Sequence, residues 1–143
     1  MNVNGSPRIG FVFDSFAVLC YLNREQGFAQ ITTKLEDASK GKSKIYLSML
    51  NFGEVLYITE RERGLGAAQE VLQAIEQLPL TLLDVTRNRI LAAARIKARY
   101  AISYADAFVF AAAQEFEATV LTGDPECKRV AHLVQIEWLP MND

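Results

Sequence analysis

Three carboxylates stand alone in stretches that otherwise read as protein interior. Asp14 is the only charged residue between Arg8 and Arg24, Glu54 the only one between Lys44 and Glu60, and Asp106 the only one between Arg99 and Glu115. A buried, ionised carboxylate costs several kcal/mol or more unless it pairs, takes up a proton or binds a cation. One such residue is an accident of packing; three in a chain of 143 residues point to a shared cation. Asp124, which directly follows Gly123 and the apolar run ending at Thr122, joins them. Oxygen donors of this kind suit Mg²⁺ or Mn²⁺, hard ions that keep several waters and need only a few carboxylates. The single His132 and the well-separated Cys20 and Cys127 offer little for zinc. A carboxylate-held divalent ion activates water and offsets charge in a phosphodiester transition state.

Each acid also has a simpler reading. Ser103-x-x-Asp106 fits a capping box, Asp124-Pro125 is an ordinary helix start, and Asp14 is a plausible cap for a following helix. Glu54 shares a helical stripe with Leu50 and Ile58, and Arg95 or Arg99 is a candidate ion-pair partner. The functional reading rests on the four occurring together.

To position such a set, the chain must bring distant segments to one place. Apolar, β-rich runs predict strands over 9–13, 44–47, 80–85, 119–122 and 135–139. Between them, amphipathic stretches and caps predict helices over 15–23, 28–39, 49–63, 67–78, 87–100, 104–117 and 125–132, with Ser48, Thr86 and Ser103 as caps and Gly41, Gly64 and Pro79 as stops. Alternating strands and helices imply a three-layer α/β/α domain with a mostly parallel sheet. In such sheets strand carboxyl ends and helix amino ends share one edge, where ligands bind. All four acids fall near that edge, and helix N-termini tolerate negative charge.

The bulk properties fit one folded domain over residues 1–143: half the residues are hydrophobic, 22% are charged, and no repeat, linker or low-complexity stretch occurs. A net charge of −2 excludes a polycationic nucleic-acid coat, so RNA binding would need metal ions or a local basic patch. The acid-free run of Arg87, Arg89, Arg95, Lys97 and Arg99 is such a patch, or equally a solvated helix face. Gly41-Lys42-Ser43 fails as a P-loop because Glu36 stands where its first glycine belongs, and reads as a solvated loop. His132 reads as structural. The cysteines suggest neither a disulfide scaffold nor a Cys-rich metal site. With no membrane-length apolar run and no signal-peptide pattern in the first ten residues, the cytoplasm is the expected location.

At these residues the sequence resembles PIN-domain nucleases, specifically VapC-type toxins of toxin–antitoxin pairs. Phe11-Val12-Phe13-Asp14-Ser15-Phe16 resembles their opening strand and acid; Ser48-Met49-Leu50-Asn51-Phe52-Gly53-Glu54 resembles the second motif; Ser103-Tyr104-Ala105-Asp106 and Leu121-Thr122-Gly123-Asp124 resemble the third and fourth. Each motif is short, but the ordered set of four is specific. The resemblance implies a PIN-like fold with a five-stranded sheet in the order 3-2-1-4-5, and Asp14, Glu54, Asp106 and Asp124 as the catalytic, metal-holding acids. It implies Ser15, Asn51 and Thr122 as polar residues supporting metal or substrate. It further implies Mg²⁺- or Mn²⁺-dependent RNA cleavage leaving a 5′-phosphate and a 3′-hydroxyl, a homodimer, and a cognate antitoxin whose basic side chain reaches the acids. Asp14 and Asp106 would be the principal ligands. The chain departs from the pattern at Phe16, where a small residue is usual, and residues 1–8 form an extension without an assigned role. Two other classes stay open: a non-catalytic PIN-like RNA- or protein-binding module, and a receiver-like or phosphatase phosphotransfer domain. Asp14-Ser15-Phe16 has neither the paired acids of a receiver nor the Asp-x-Asp of a common phosphatase class.

Overall fold

The computed structural model describes residues 9–140; the extension assigned to residues 1–8 lies outside them. Five strands, β1 (Ile9–Phe13), β2 (Ser43–Ser48), β3 (Thr81–Leu83), β4 (Thr119–Thr122) and β5 (Ile136–Trp138), form one sheet in the order β3-β2-β1-β4-β5. Every pairing is parallel. The helices are α1 (Ser15–Leu22), α2 (Phe28–Ser39), α3 (Met49–Arg63), α4 (Leu65–Glu76), α5 (Arg87–Arg99) and α6 (Tyr104–Phe116), with a 3₁₀ turn over Pro125–Val130.

Strand side chains alternate between two cores, as the period of 2 demands. Val12 and Val120 enter the core shared with α5 and α6, whereas Phe13, Ile45, Leu47 and Leu121 enter the core shared with α1 to α4. Helix α6 is buried without a break from Asp106 to Ala113, which explains its apolar sequence and draws Asp106 inward. The register aligns Phe13 with both Leu47 and Leu121. One residue further on, Asp14 stands level with Ser48 and Thr122. Because crossovers leave β1 towards β2 on one side and reach β4 on the other, this edge is the topological switch point of the sheet.

Element boundaries differ from the sequence reading in a few places. Gly64 (φ +94°) both ends α3 and precedes α4, so α4 begins at Leu65 and not at residue 67. β3 is an edge strand pairing through three positions only, and Val85 beyond it is 38% exposed. The 125–132 helix is a shorter 3₁₀ turn, and Gly41 (φ +75°) turns the chain so that Ser43 is already a buried residue of β2, not part of a solvated loop. Among the basic residues of α5, Arg89 makes a forked pair with Glu115 at 3.1 and 3.2 Å, and Lys97 donates to the Ile102 carbonyl at 2.7 Å. Part of that run is therefore structural. His132 shares a 3.0 Å hydrogen bond with the Tyr100 hydroxyl, in keeping with a structural role. No helix among the described residues is long and apolar enough to cross a membrane.

Candidate metal centre

The capping readings and the convergence of the acids turn out to be compatible, because the caps aim the carboxylates. Asp14 caps α1, its Oδ1 accepting from the Ala17 amide at 2.8 Å, while its Oδ2 accepts from the Thr122 hydroxyl. Ser103 caps α6 by accepting from the Asp106 amide at 3.0 Å. Asp124 caps the 3₁₀ turn, Oδ1 accepting from the Glu126 amide at 2.9 Å. A cap fixes a side chain at the start of a helix, where the helix dipole favours an anion. Three helical elements thus present acids to one edge of the sheet.

Ligand atoms of Asp14, Asp106 and Cys127 lie within 4.8 Å of one another, and so do those of Asp106, Asp124 and Glu126. Asp106 belongs to both groups. Glu54 belongs to neither, yet its charge acts on Asp106. It is partly exposed on α3 and forms no ion pair among the described residues, so the Arg95 or Arg99 partner does not materialise. Glu126 and Cys127 were not singled out by their sequence. The one available signal was their position in the turn capped by Asp124, which brings both onto the carboxylates.

Burial dominates the electrostatics. Asp14 is 1% exposed, and desolvation, reinforced by the charges of Asp106 and Asp124, pushes its pKa up to about 7, against the opposing hydrogen bonds from Thr122 and Ala17. Asp106 is pushed to about 6, first by desolvation and then by Asp124, with Glu54 and Glu126 adding to it. Among the described residues, neither acid forms an ion pair with a lysine or arginine. Carboxylates so placed, with several oxygen donors and no basic partner, fit a hard divalent cation.

The polar residues flanking the acids divide by task. Thr122 is fully buried; it donates to Asp14 and accepts from the Asp124 amide at 3.0 Å, tying two acids together. Ser15 and Asn51 bind each other across α1 and α3, the Asn51 amide nitrogen donating to Ser15 Oγ at 3.2 Å. Asn51 Oδ1 is buried with no hydrogen-bond partner among the described residues. Thr122→Val should keep the volume but remove the donor to Asp14 and the acceptor for Asp124. We expect Mn²⁺ affinity to fall about 10- to 100-fold, the range for residues that orient ligands. Calorimetric titration would check this; unchanged affinity would show that Thr122 merely fills space.

Phe16 forms a wall beside these residues. A Cβ added at Gly123 would lie 2.3 Å from Phe16 Cε1, so the ring packs directly on the glycine between Thr122 and Asp124. Gly123→Ala should therefore displace Phe16 and cost about 1–3 kcal/mol, as overpacking does. Chemical denaturation would measure it, and Phe16→Leu in the same chain should recover part of the loss. Absence of any loss would mean the ring swings aside freely.

The fold has counterparts in known proteins. No protein with a curated description matches the chain significantly. Among solved structures, similar folds occur in VapBC2 from Rickettsia felis bound to a promoter DNA fragment (TM-score 0.74, 15% identity, covering 92% of this chain and 100% of that one). They also occur in DNA-bound VapBC from Salmonella typhimurium (0.70, 16%, 90% and 97%). A third is the sarcin–ricin loop cleaving toxin VapC20 of Mycobacterium tuberculosis (0.59, 17%, 78% and 86%). At such identities the likeness shows the fold. The sequence itself carries the family: the PIN domain profile matches residues 11–133, a span that starts in β1 and contains Asp14, Glu54, Asp106 and Asp124, and the chain belongs to the PIN-domain family.

Proposed function

We propose that the chain is a Mg²⁺- or Mn²⁺-dependent endoribonuclease, the toxin of a toxin–antitoxin pair, acting as one PIN domain through Asp14, Glu54, Asp106 and Asp124. The observation that carries this reading is the convergence of Asp14, Asp106 and Asp124 at the switch point of the sheet, with no lysine or arginine ion-paired to them among the described residues. Asp14 and Asp106, the most buried of the four, would hold a divalent ion directly; Asp124 and Glu54, nearer the surface, would hold a second ion or bind through water. Bound there, the ion supplies positive charge to a phosphodiester and acidifies water for hydrolysis.

The protein's own contribution is placement. Thr122 and the Ala17 amide fix both oxygens of Asp14, Ser103 fixes the start of α6, and Asp124 is held by its own turn. The buried floor excludes bulk water, which strengthens each electrostatic contact with an anionic backbone. The partners we propose are an RNA substrate, a second copy of the chain, and an antitoxin that brings a cationic side chain to the uncompensated acids, all in the cytoplasm. VapBC complexes among the structural relatives support the antitoxin assignment.

Purified chain incubated with structured RNA tests the reading. Cleavage should require Mg²⁺ or Mn²⁺, stop with chelator, and leave 5′-phosphate ends. Metal binding without cleavage of any RNA would favour the non-catalytic module.

A further inference from the structure

Cys127 has no part in the chemistry above, yet it sits inside the acid centre. Its side chain is fully buried, and its Sγ lies within 4.8 Å of ligand oxygens of both Asp14 and Asp106. Among the described residues Sγ makes one polar contact, a long one, 3.8 Å to Thr122 Oγ1. The placement is built: Asp124 caps the turn, Pro125 opens it, and the Cys127 amide donates to the Asp124 carbonyl at 3.1 Å, which brings the third residue of the turn onto the carboxylates. Cys20, the other cysteine, is different: it donates to the Gln26 carbonyl at 3.0 Å within the opposite core, with no aspartate pair around it.

We propose that Asp14, Asp106 and Cys127 form a three-ligand site for a thiophilic divalent ion, Zn²⁺ or Cd²⁺, which competes with Mg²⁺ or Mn²⁺ for the centre. This rests on reading the acids as a cation site, and it revises the sequence expectation that the cysteines offer little for zinc. Three protein ligands with one open position is the count used by catalytic zinc sites. Tetrahedral ligation at about 2.0–2.3 Å separates ligand atoms by roughly 3.3–3.8 Å, so small side-chain rotations close the cluster. On binding, the thiol gives its proton to solvent and the sulfur enters as thiolate. A soft thiolate favours Zn²⁺ and Cd²⁺, whereas Mg²⁺ and Mn²⁺ rely on the carboxylates. The alternative is a cysteine that only fills space as a small apolar side chain.

Cd²⁺ titration of the full chain, read by the ultraviolet thiolate-to-cadmium charge-transfer band, separates the two. The band should appear and saturate at one ion per chain, persist in Cys20→Ser, and vanish in Cys127→Ser and Cys127→Ala. Asp106→Asn, which keeps the sulfur, should weaken Cd²⁺ binding at least about ten-fold. Bound Mn²⁺, followed by its electron paramagnetic resonance signal, should be released as Cd²⁺ is added. A missing band in the wild-type chain, or one that survives Cys127→Ser, overturns the proposal. Mn²⁺ binding without a cadmium band leaves the acid centre standing and removes only this inference, whereas absence of Mn²⁺ binding removes the acid centre itself. Circular dichroism confirms that each variant is folded, and Asp106→Asn decides the matter should both Cys127 variants unfold.

Discussion

Asp14→Asn should lower RNA cleavage by at least about 100-fold, equivalent to roughly 2.7 kcal/mol of transition-state stabilisation, while making the metal-free protein more stable. The substitution is nearly isosteric. Asparagine caps helices as well as aspartate does, so the bond from the Ala17 amide survives. The side chain stays beside Thr122, whose hydroxyl can turn to accept from the new amide. What disappears is a negative charge that is 1% exposed and faces Asp106 and Asp124. Removing it abolishes a principal ligand and, in the same step, relieves repulsion in the empty centre. Loss of activity with a raised melting temperature distinguishes this from ordinary damage, which lowers both. Undiminished cleavage by a variant freed of contaminating nuclease would exclude Asp14 from the chemistry.

The second large effect is on stability against pH. The pKa of Asp14 is raised from an unfolded-state value near 3.8 to about 7, and that of Asp106 to about 6, both primarily by desolvation. The native state therefore binds more protons than the unfolded state between those limits. Stability from these groups is fully present below about pH 4 and is lost as pH rises through 6 to 7. That rise corresponds to roughly 4 kcal/mol for Asp14 taken alone, and the two sites do not simply add because the charge of Asp106 is itself one of the causes raising Asp14. Urea titrations of metal-free protein from pH 4 to 8 should show this fall superposed on the titration of ordinary surface groups. Asp14→Asn should flatten it, and Mn²⁺ at pH 8 should restore the stability by binding the ionised form. Equal slopes for wild type and variant would mean the carboxylates are well solvated.

The features legible in the sequence share a physical cause. Strand β4 and the carboxyl end of β1 were legible because both faces are buried there, which leaves a continuous apolar run that an isolated charge interrupts conspicuously. Asp14 stood out for that reason, as Asp106 and Glu54 did in the apolar runs of α6 and α3, whereas Asp124 was picked out by its place directly after β4; Ser48, Thr86 and Ser103 marked helix starts through the local bonds they do make. Less was legible where tertiary packing decides. β3 is short because it pairs on one side only. Glu54 is looser than its isolation suggested, since the first turns of α3 face partly outward. Ser15 and Asn51, expected to serve the ion or substrate, spend hydrogen bonds on each other. Cys127 gave no sign beyond its place in the turn that Asp124 caps. Its neighbours Lys128 and Arg129 are exposed, and only the turn of the chain after β4 carries its sulfur inward.

The direct test is a crystal of the protein soaked in Mn²⁺, with the ion located by its anomalous scattering. A peak in coordination contact with Asp14 and Asp106, close to Asp124, and absent from an Asp14→Asn crystal, is the predicted result. A soaked, folded crystal with no manganese at that edge of the sheet, or with the ion bound only elsewhere, would contradict it.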